Sequence, residues 1–265
     1  MSESARRTEM ADYARRMHAR GWVANHDGNL SVRLEPGRYL CTPTATSKAD
    51  VTSELLLVVD EGGAKISGRT KPFGEIGLHL TVYRNRPDVG AVVHAHPPTA
   101  TGFGAAGLGL DEPFIAEAVV SLGPSVPLVP FALPGEAGCQ ALAPYVAGFD
   151  AVLVAGNGVF AWGRDLEQAY LRLELVEHLA RIAVTARQLG GIRPLPSAAL
   201  PSLLESRRKA GLGAAAERTT PAPKTVVACA PAPPGSDVQV YDPKRNPPNL
   251  AEIIRQELAA ALQSK

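Results

Sequence analysis

The segment Val89-Gly90-Ala91-Val92-Val93-His94-Ala95-His96-Pro97-Pro98 constrains the fold of this chain more than any other stretch. Its first half is short, apolar and β-branched, which is the pattern of a buried strand. The two prolines stop it, because proline cannot donate to a sheet ladder. Side chains alternate along a strand, so His94 and His96 project to the same side. Two imidazoles therefore stand side by side at a strand end. Neutral imidazoles suit zinc and related divalent ions. The alternative is that both are ordinary polar residues where a strand meets solvent.

Flanking segments have equally legible patterns. A helix is expected from about Ser4 to Arg20. Asn25-His26-Asp27-Gly28-Asn29 is a turn cluster, followed by the strand Leu30-Ser31-Val32-Arg33. Further strands are expected at 39–42 and 55–59. A helix is expected from Glu75 to Arg86, with Ile76, Leu80 and Tyr83 along one face. After Pro98 a Gly/Ala-rich segment reads as a helix and its turn, 118–129 contains an extended piece, and Gly135 to Val146 reads as a short helix. Two strands at 151–155 and 159–162 flank Gly156-Asn157-Gly158, a hairpin signature whose glycines are free to take positive φ. Asp165 and Gln168 form the N-cap and capping box of a long helix that ends at Gly190-Gly191. Strands mixed with helices predict an α/β class with a central sheet.

The 265 residues, 45% hydrophobic and 20% charged, suffice for a normal core. A net charge of +1 without a concentrated basic stripe argues against nucleic acid as a partner. Cys41, Cys139 and Cys229 are odd in number and far apart, which suggests neither a disulfide framework nor a thiolate zinc site and fits a reducing cytoplasm. Met1 to Arg20 has no signal-peptide apolar core. No segment approaches the ~18 apolar residues of a membrane span, so no membrane partner is expected.

Glu75 precedes His94 by 19 residues and opens a helix. A helix packing back along the sheet brings its first turn to the strand end, and Asn157 at the hairpin tip reaches the same end. A metal there would act as a Lewis acid on adjacent oxygens of a small sugar-like substrate, with Glu75 moving a proton. Among other candidates, His26 is either a substitute imidazole or a solvated loop residue. His79 either orients Glu75 or packs the helix. His18 and His178 read as surface or packing residues, Trp22 and Trp162 as core.

The chain resembles the class II aldolase/adducin family of fuculose-phosphate and ribulose-phosphate metal enzymes. The matching pieces are Gly28-Asn29-Leu30-Ser31-Val32-Arg33, Thr42-Pro43-Thr44, Glu75 four residues before His79, Tyr83 through Pro98, Pro134-Gly135, and the Gly158-Val159 hairpin before the long helix. The resemblance runs from about Ser4 to Leu212 and is carried by motifs in order at family spacing. It implies a central, mostly antiparallel sheet in α-β-α layers, a metal site at a subunit interface and a homotetramer. It implies zinc, with manganese or cobalt as alternatives, held by a glutamate and three histidines. Glu75, His94 and His96 match the first three of these ligands, and Asn157 stands where the third histidine belongs. Glu75 doubles as the proton carrier, and Glu117 lies in a region that contributes a proton donor in some relatives.

The resemblance also places substrate contacts at Gly28, Asn29, Thr44 and Gly74. Family aldolases clamp phosphate with a Gly-Asn loop, a Ser-Gly or Thr-Gly turn and a Ser-Ser pair before the glutamate. This chain keeps Gly28-Asn29 but has Thr44-Ala45 and Phe73-Gly74 at the other two places. A carboxylate or uncharged polyol end is expected in place of phosphate. The reaction implied is a metal-dependent aldolase-type cleavage next to a carbonyl. The alternatives are a sugar-acid decarboxylase or epimerase, and a scaffold whose metal site has decayed.

The family accounts for a domain at 1–217. Residues 218–248 form a proline-rich linker. In 249–265, Asn249 and Glu252 make a capping pair, followed by Leu250, Ile253, Ile254, Leu258 and Leu262 at amphipathic spacing. This tail helix resembles the encapsulation peptides of bacterial microcompartment enzymes, which implies a shell protein as partner and a place inside such a compartment. The alternative is that it folds back onto its own domain or a neighbouring subunit.

Overall fold

The computed structural model describes residues 1–213. The proline-rich stretch 218–248 and the tail helix expected at 249–265 lie outside the described residues.

The elements run in the order α1 (Glu3–Ala19), β1 (Asn29–Glu35), β2 (Arg38–Cys41), β3 (Leu57–Val59), β4 (Lys65–Ser67), α2 (Ile76–Asn85), β5 (Ala91–Ala95), α3 (Pro98–Ala105), α4 (Ala116–Ser121), β6 (Leu128–Val129), α5 (Glu136–Val146), β7 (Ala151–Val154), β8 (Gly158–Gly163), α6 (Leu166–Gln188) and α7 (Leu200–Lys209). The strands form a single sheet in the order β4-β3-β2-β1-β5-β8-β7-β6. Every neighbouring pair is antiparallel except β6 with β7. The expected α/β fold with a mostly antiparallel central sheet is the fold observed.

Strand alternation sorts the core onto two faces. Leu30, Val32, Ala91 and Val93 pack toward Met17 of α1, Phe103 of α3 and Leu173 of α6. Cys41, Val92, Phe160 and Trp162 pack toward Leu80 of α2 and Leu142 of α5. β5 and β8 are buried along their whole length in the middle of the sheet. Each Val- to Phe-sized side chain removed from water there contributes roughly 1.5–3 kcal/mol.

The start of α6 follows the sequence pattern closely. The Asp165 carboxylate accepts from Gln168 N–H at 2.8 Å, and the Gln168 amide oxygen accepts from Arg164 N–H at 3.0 Å. Elsewhere the structure departs from expectation. The extended piece in 118–129 is confined to β6, and its first residues belong to α4, which buries Ala118 and Val119. Two elements, β4 and α7, have no strong pattern of their own: β4 is exposed throughout, and α7 buries only Leu200 and Arg207.

Asp150, fully buried just before β7, ties the chain's distant parts together. Its carboxylate meets Arg86 at the end of α2 (3.1 Å), Arg172 of α6 (2.8 Å) and Arg207 of α7. Isolated, that charge would be untenable in the core. Three guanidiniums make it a clasp. Among the described residues no helix is long and apolar enough to cross a membrane.

Candidate active site

Sheet register builds the site. β1 pairs with β5 so that Asn29 lies opposite His94, and β5 pairs with β8 so that His94 lies opposite Phe160. The His94 ring stacks on Phe160, with centroids 3.9 Å apart and planes 13° from parallel. Carried two residues further, the same registers bring Asp27 and Gly158 to His96. Both approaches are seen: Asp27 Oδ2 lies 3.1 Å from His96 Nδ1, and a Cβ on Gly158 would lie 2.4 Å from the Ala95 carbonyl oxygen and 2.7 Å from His96 Cδ2. With φ at +81°, only glycine seats the hairpin this close.

The imidazoles converge. His94 is fully buried, and its Nδ1 lies 2.9 Å from the Val159 carbonyl oxygen. A carbonyl only accepts, so Nδ1 carries the proton and Nε2 presents a lone pair. The two Nε2 atoms of His94 and His96 are 3.2 Å apart, and Glu75 Oε2 lies 3.4 Å from His94 Nε2. Burial and the neighbouring His96 push His94 well below the usual imidazole range, against the pull of Glu75. His94 is therefore neutral near pH 7.

Glu75 occupies the N-cap position of α2 without capping it, which leaves both carboxylate oxygens for the site. Asn157 donates from Nδ2 to Oε1 at 2.5 Å, and Asn29 donates from Nδ2 to Oε2 at 2.9 Å. Burial alone would raise this carboxyl. His94 and the two amide hydrogen bonds outweigh burial and hold it below the ordinary carboxylate value. The contribution of His94 requires a protonated ring, whereas the amide bonds act whenever Glu75 is ionised.

Glu75, His94, His96 and Asn157 thus come together, but not as a closed set of ligands. Among the described residues no group of three or more His, Cys, Asp and Glu side chains forms a cluster that would hold a metal ion. Asn157 turns its amide nitrogen to Glu75. Asn29, expected at the substrate, is 4% exposed and also holds Glu75. Gly28 is buried in a tight turn at φ +69°, where a Cβ would lie 2.4 Å from Val23 Cγ1. Thr44 and Gly74 are exposed.

Glu117 does not join this cluster. It lines a cavity of about 590 Å³ with Arg20, Glu174 and His178, whereas Glu75 and Asn157 line a cavity of about 110 Å³ beside Pro130 and Phe131. His26 is exposed, and its carbonyl oxygen accepts from Lys48 Nζ at 3.2 Å. His79 is a packing residue: Nδ1 bonds Ser31 Oγ at 2.7 Å, and its ring meets Phe73 and Phe160 edge-on. Trp22 and Trp162 are core, and His18 and His178 are exposed. No motif in the sequence marks Asp27 or Lys48 as lying near these residues. The signal for Asp27 is the β1–β5 register, which the sequence does not print.

Residues 8–184 match the family described as Class II Aldolase and Adducin N-terminal domain. The chain belongs to that family. It is 34% identical over 187 residues to a 3-oxo-tetronate 4-phosphate decarboxylase of Pectobacterium atrosepticum, covering 68% of this chain and 84% of that protein. It is 29% identical over 197 residues to a 5-deoxy-D-ribulose 1-phosphate aldolase of Bacillus thuringiensis, covering 72% and 89%. Among solved structures, YgbL of Escherichia coli, described as a putative aldolase/epimerase/decarboxylase, superposes with a TM-score of 0.71 at 32% identity, covering 76% of this chain and 98% of that one. The chain is thus a member of an enzyme superfamily that includes aldolases and decarboxylases.

Proposed function

We propose that this protein is a divalent-metal-assisted decarboxylase of a small 3-oxo sugar acid. The observation that carries the reading is the convergence of His94 Nε2, His96 Nε2 and Glu75 Oε2, at 3.2 and 3.4 Å. His94 Nε2 accepts, so a proton on His96 Nε2 bridges the pair, and a divalent ion would take that proton's place. Two nitrogens ~2.0–2.1 Å from a tetrahedral zinc stand ~3.3 Å apart, which suits the imidazole pair. The relative at 34% identity supports decarboxylation over aldol cleavage.

His94 and His96 would hold the ion, with Glu75 completing the set. Bound there, the ion would supply positive charge to stabilise the oxyanion that decarboxylation generates. Decarboxylation requires no base to start, because departure of CO2 leaves its electron pair on the enediolate. Glu75, ionised and gripped by Asn29 and Asn157, does not protonate the substrate early. It relays a solvent proton to the carbanionic carbon after CO2 has gone. Phe160 and the Val159 carbonyl hold His94 still during this step.

The test is CO2 release from 3-oxo-tetronate 4-phosphate and from its unphosphorylated counterpart, with 5-deoxyribulose 1-phosphate as the aldolase control. The expected result is CO2 release that disappears with a chelator and returns with zinc, manganese or cobalt. The ratio between the two acids measures how much the site gains from a phosphate group. Aldehyde release from the ketose phosphate with no CO2 from either acid would overturn the decarboxylase reading.

A further inference from the structure

We propose that Glu177 is a positioning residue for His96: reaching across from α6, it fixes the start of α3 and, through Pro97, the place where His96 stands. What this does for metal binding rests on the cation site proposed above, but the placement of the ring does not. A helix leaves the N–H groups of its cap residue and first three positions without partners inside the helix. In α3 the cap residue is Pro97 and the first helical residue is Pro98. Neither has an N–H, so only Thr99 and Ala100 have donors left to satisfy, and Pro97 has no side-chain acceptor to offer them. Both turn to one carboxylate. Glu177 Oε2 accepts from Ala100 N–H at 2.8 Å, and Oε1 accepts from Thr99 N–H at 3.4 Å. Glu177 is 2% exposed. Its charge is tolerable there because the positive end of α3 faces it and Arg181 Nε meets Oε1 at 2.8 Å.

The consequence falls on His96 rather than on His94. His94 lies inside β5, paired to β1 and β8, with its ring stacked on Phe160. His96 lies past the end of the strand, and its side chain is 32% exposed. Its backbone N–H donates to the Trp22 carbonyl at 2.9 Å. On its other side the chain passes directly into Pro97 and Pro98, whose rings fix φ, and so into the turn that Glu177 holds. The His96 backbone is thus pinned by Trp22 at one end and by Glu177 at the other. Without the carboxylate, the buried Ala100 N–H has no acceptor. The first turn of α3 then shifts against α6 and carries Pro97 and His96 with it, and the two Nε2 atoms, now 3.2 Å apart, lose their alignment. A role confined to stability would lower the unfolding midpoint and leave the ring pair as it is.

Glu177→Gln is the informative change, because it is isosteric but offers one acceptor oxygen in place of two. That oxygen serves Ala100 or Thr99 but not both, and the amide nitrogen opposes the N–H left over. The experiment uses the full-length protein with ¹⁵N-labelled histidine, freed of metal with a chelator. Ring ¹⁵N spectra of wild type and Glu177→Gln are compared, and zinc is titrated into both. The control is Glu167→Gln, an exposed carboxylate on the same helix. In Glu177→Gln the His96 signals, and the His94 Nε2 signal that faces them, are expected to move. The His94 Nδ1–H signal, held by the Val159 carbonyl, is expected to stay, which also reports an intact fold. Zinc affinity is expected to fall about 10-fold, the low end of what partners behind metal-binding histidines cost. Should Glu177→Gln not fold, Glu177→Asp takes its place. It keeps the charge and both acceptors but sets them back by one methylene, so the same His96 signals are expected to move. His96 signals that coincide with the wild type overturn the proposal, whatever the unfolding midpoint does, and so does an equal movement in the Glu167→Gln control. If the wild type binds no divalent ion but His96 moves as described, the metal reading fails and the positioning role stands. If zinc binds wild type and variant equally and His96 does not move, the positioning role fails and the metal reading stands.

Discussion

Replacing Asn157 with alanine removes the 2.5 Å hydrogen bond from its amide to Glu75 Oε1. A hydrogen bond to an ionised group is worth ~1.5–3 kcal/mol. The Glu75 side chain is 22% exposed, so water recovers part of that, and the expected loss is about 1–2 kcal/mol. The effect must follow the charge on Glu75. Its folded-state carboxyl lies below the ordinary 4.5, so the stabilisation is fully present above that value and disappears as pH falls through the lower folded value. The assay is a double-mutant cycle of Asn157→Ala and Glu75→Gln, read by urea unfolding of chelator-treated protein near neutral pH and in acid. A coupling of ~1 kcal/mol or more near neutral pH, shrinking in acid, is expected. A coupling within ~0.3 kcal/mol of zero near neutral pH would refute the reasoning, because two groups in real contact do not behave additively. In turnover, the acid limb of the pH profile of Asn157→Ala should move upward, since Glu75 loses a partner that favours its ionised form.

Asp150→Ala should destabilise the fold by ~3–5 kcal/mol, measured by urea midpoint, because it takes the shared carboxylate from Arg86, Arg172 and Arg207 and leaves a void in its place. His79, driven by burial from 6.5 to about 3, stays neutral in the folded protein. The unfolded chain takes up a proton that the native state refuses, so stability is fully present above about pH 6.5 and falls below it at up to ~1.4 kcal/mol per pH unit. His79→Gln should flatten that slope in unfolding curves taken across the window, and an unchanged slope would contradict this account. Gly158→Ala combines φ +81° with a 2.4 Å approach to a carbonyl and should cost on the order of 2–4 kcal/mol in thermal unfolding. Gly156→Ala, whose nearest neighbour is the Phe131 ring at 3.3 Å, should cost only about 1–2 kcal/mol.

The parts of the fold that were readable in the sequence are those where local chemistry and tertiary burial agree. The Asp165–Gln168 cap, the glycine-flanked hairpin and the apolar run into His94 state their own structure. β4 does not: its three exposed residues are a strand because the β3 edge offers a ladder, not because they prefer one. Lys48 is buried, and the carbonyls of His26 and Thr46, which accept from its ammonium, make that burial tolerable. At the site, the sequence places Glu75, His94, His96 and Asn157 together, but not the direction of each polar atom. Asn157 and Asn29 are amides with two ends, and only the fold shows both nitrogens turned to Glu75. The approach of Asp27 to His96 depends on the register that pairs Asn29 with His94, a property of two strands separated by more than fifty residues of chain.

Calorimetric titration of zinc into the chelator-treated full-length protein, alongside His94→Ala and His96→Ala, tests the central claim most directly. The wild type should take up a single ion per chain, and either substitution should weaken it by more than the ~10–100-fold that outer-shell changes cost. Absence of binding to the wild type, or binding that survives both substitutions unchanged, would contradict the account.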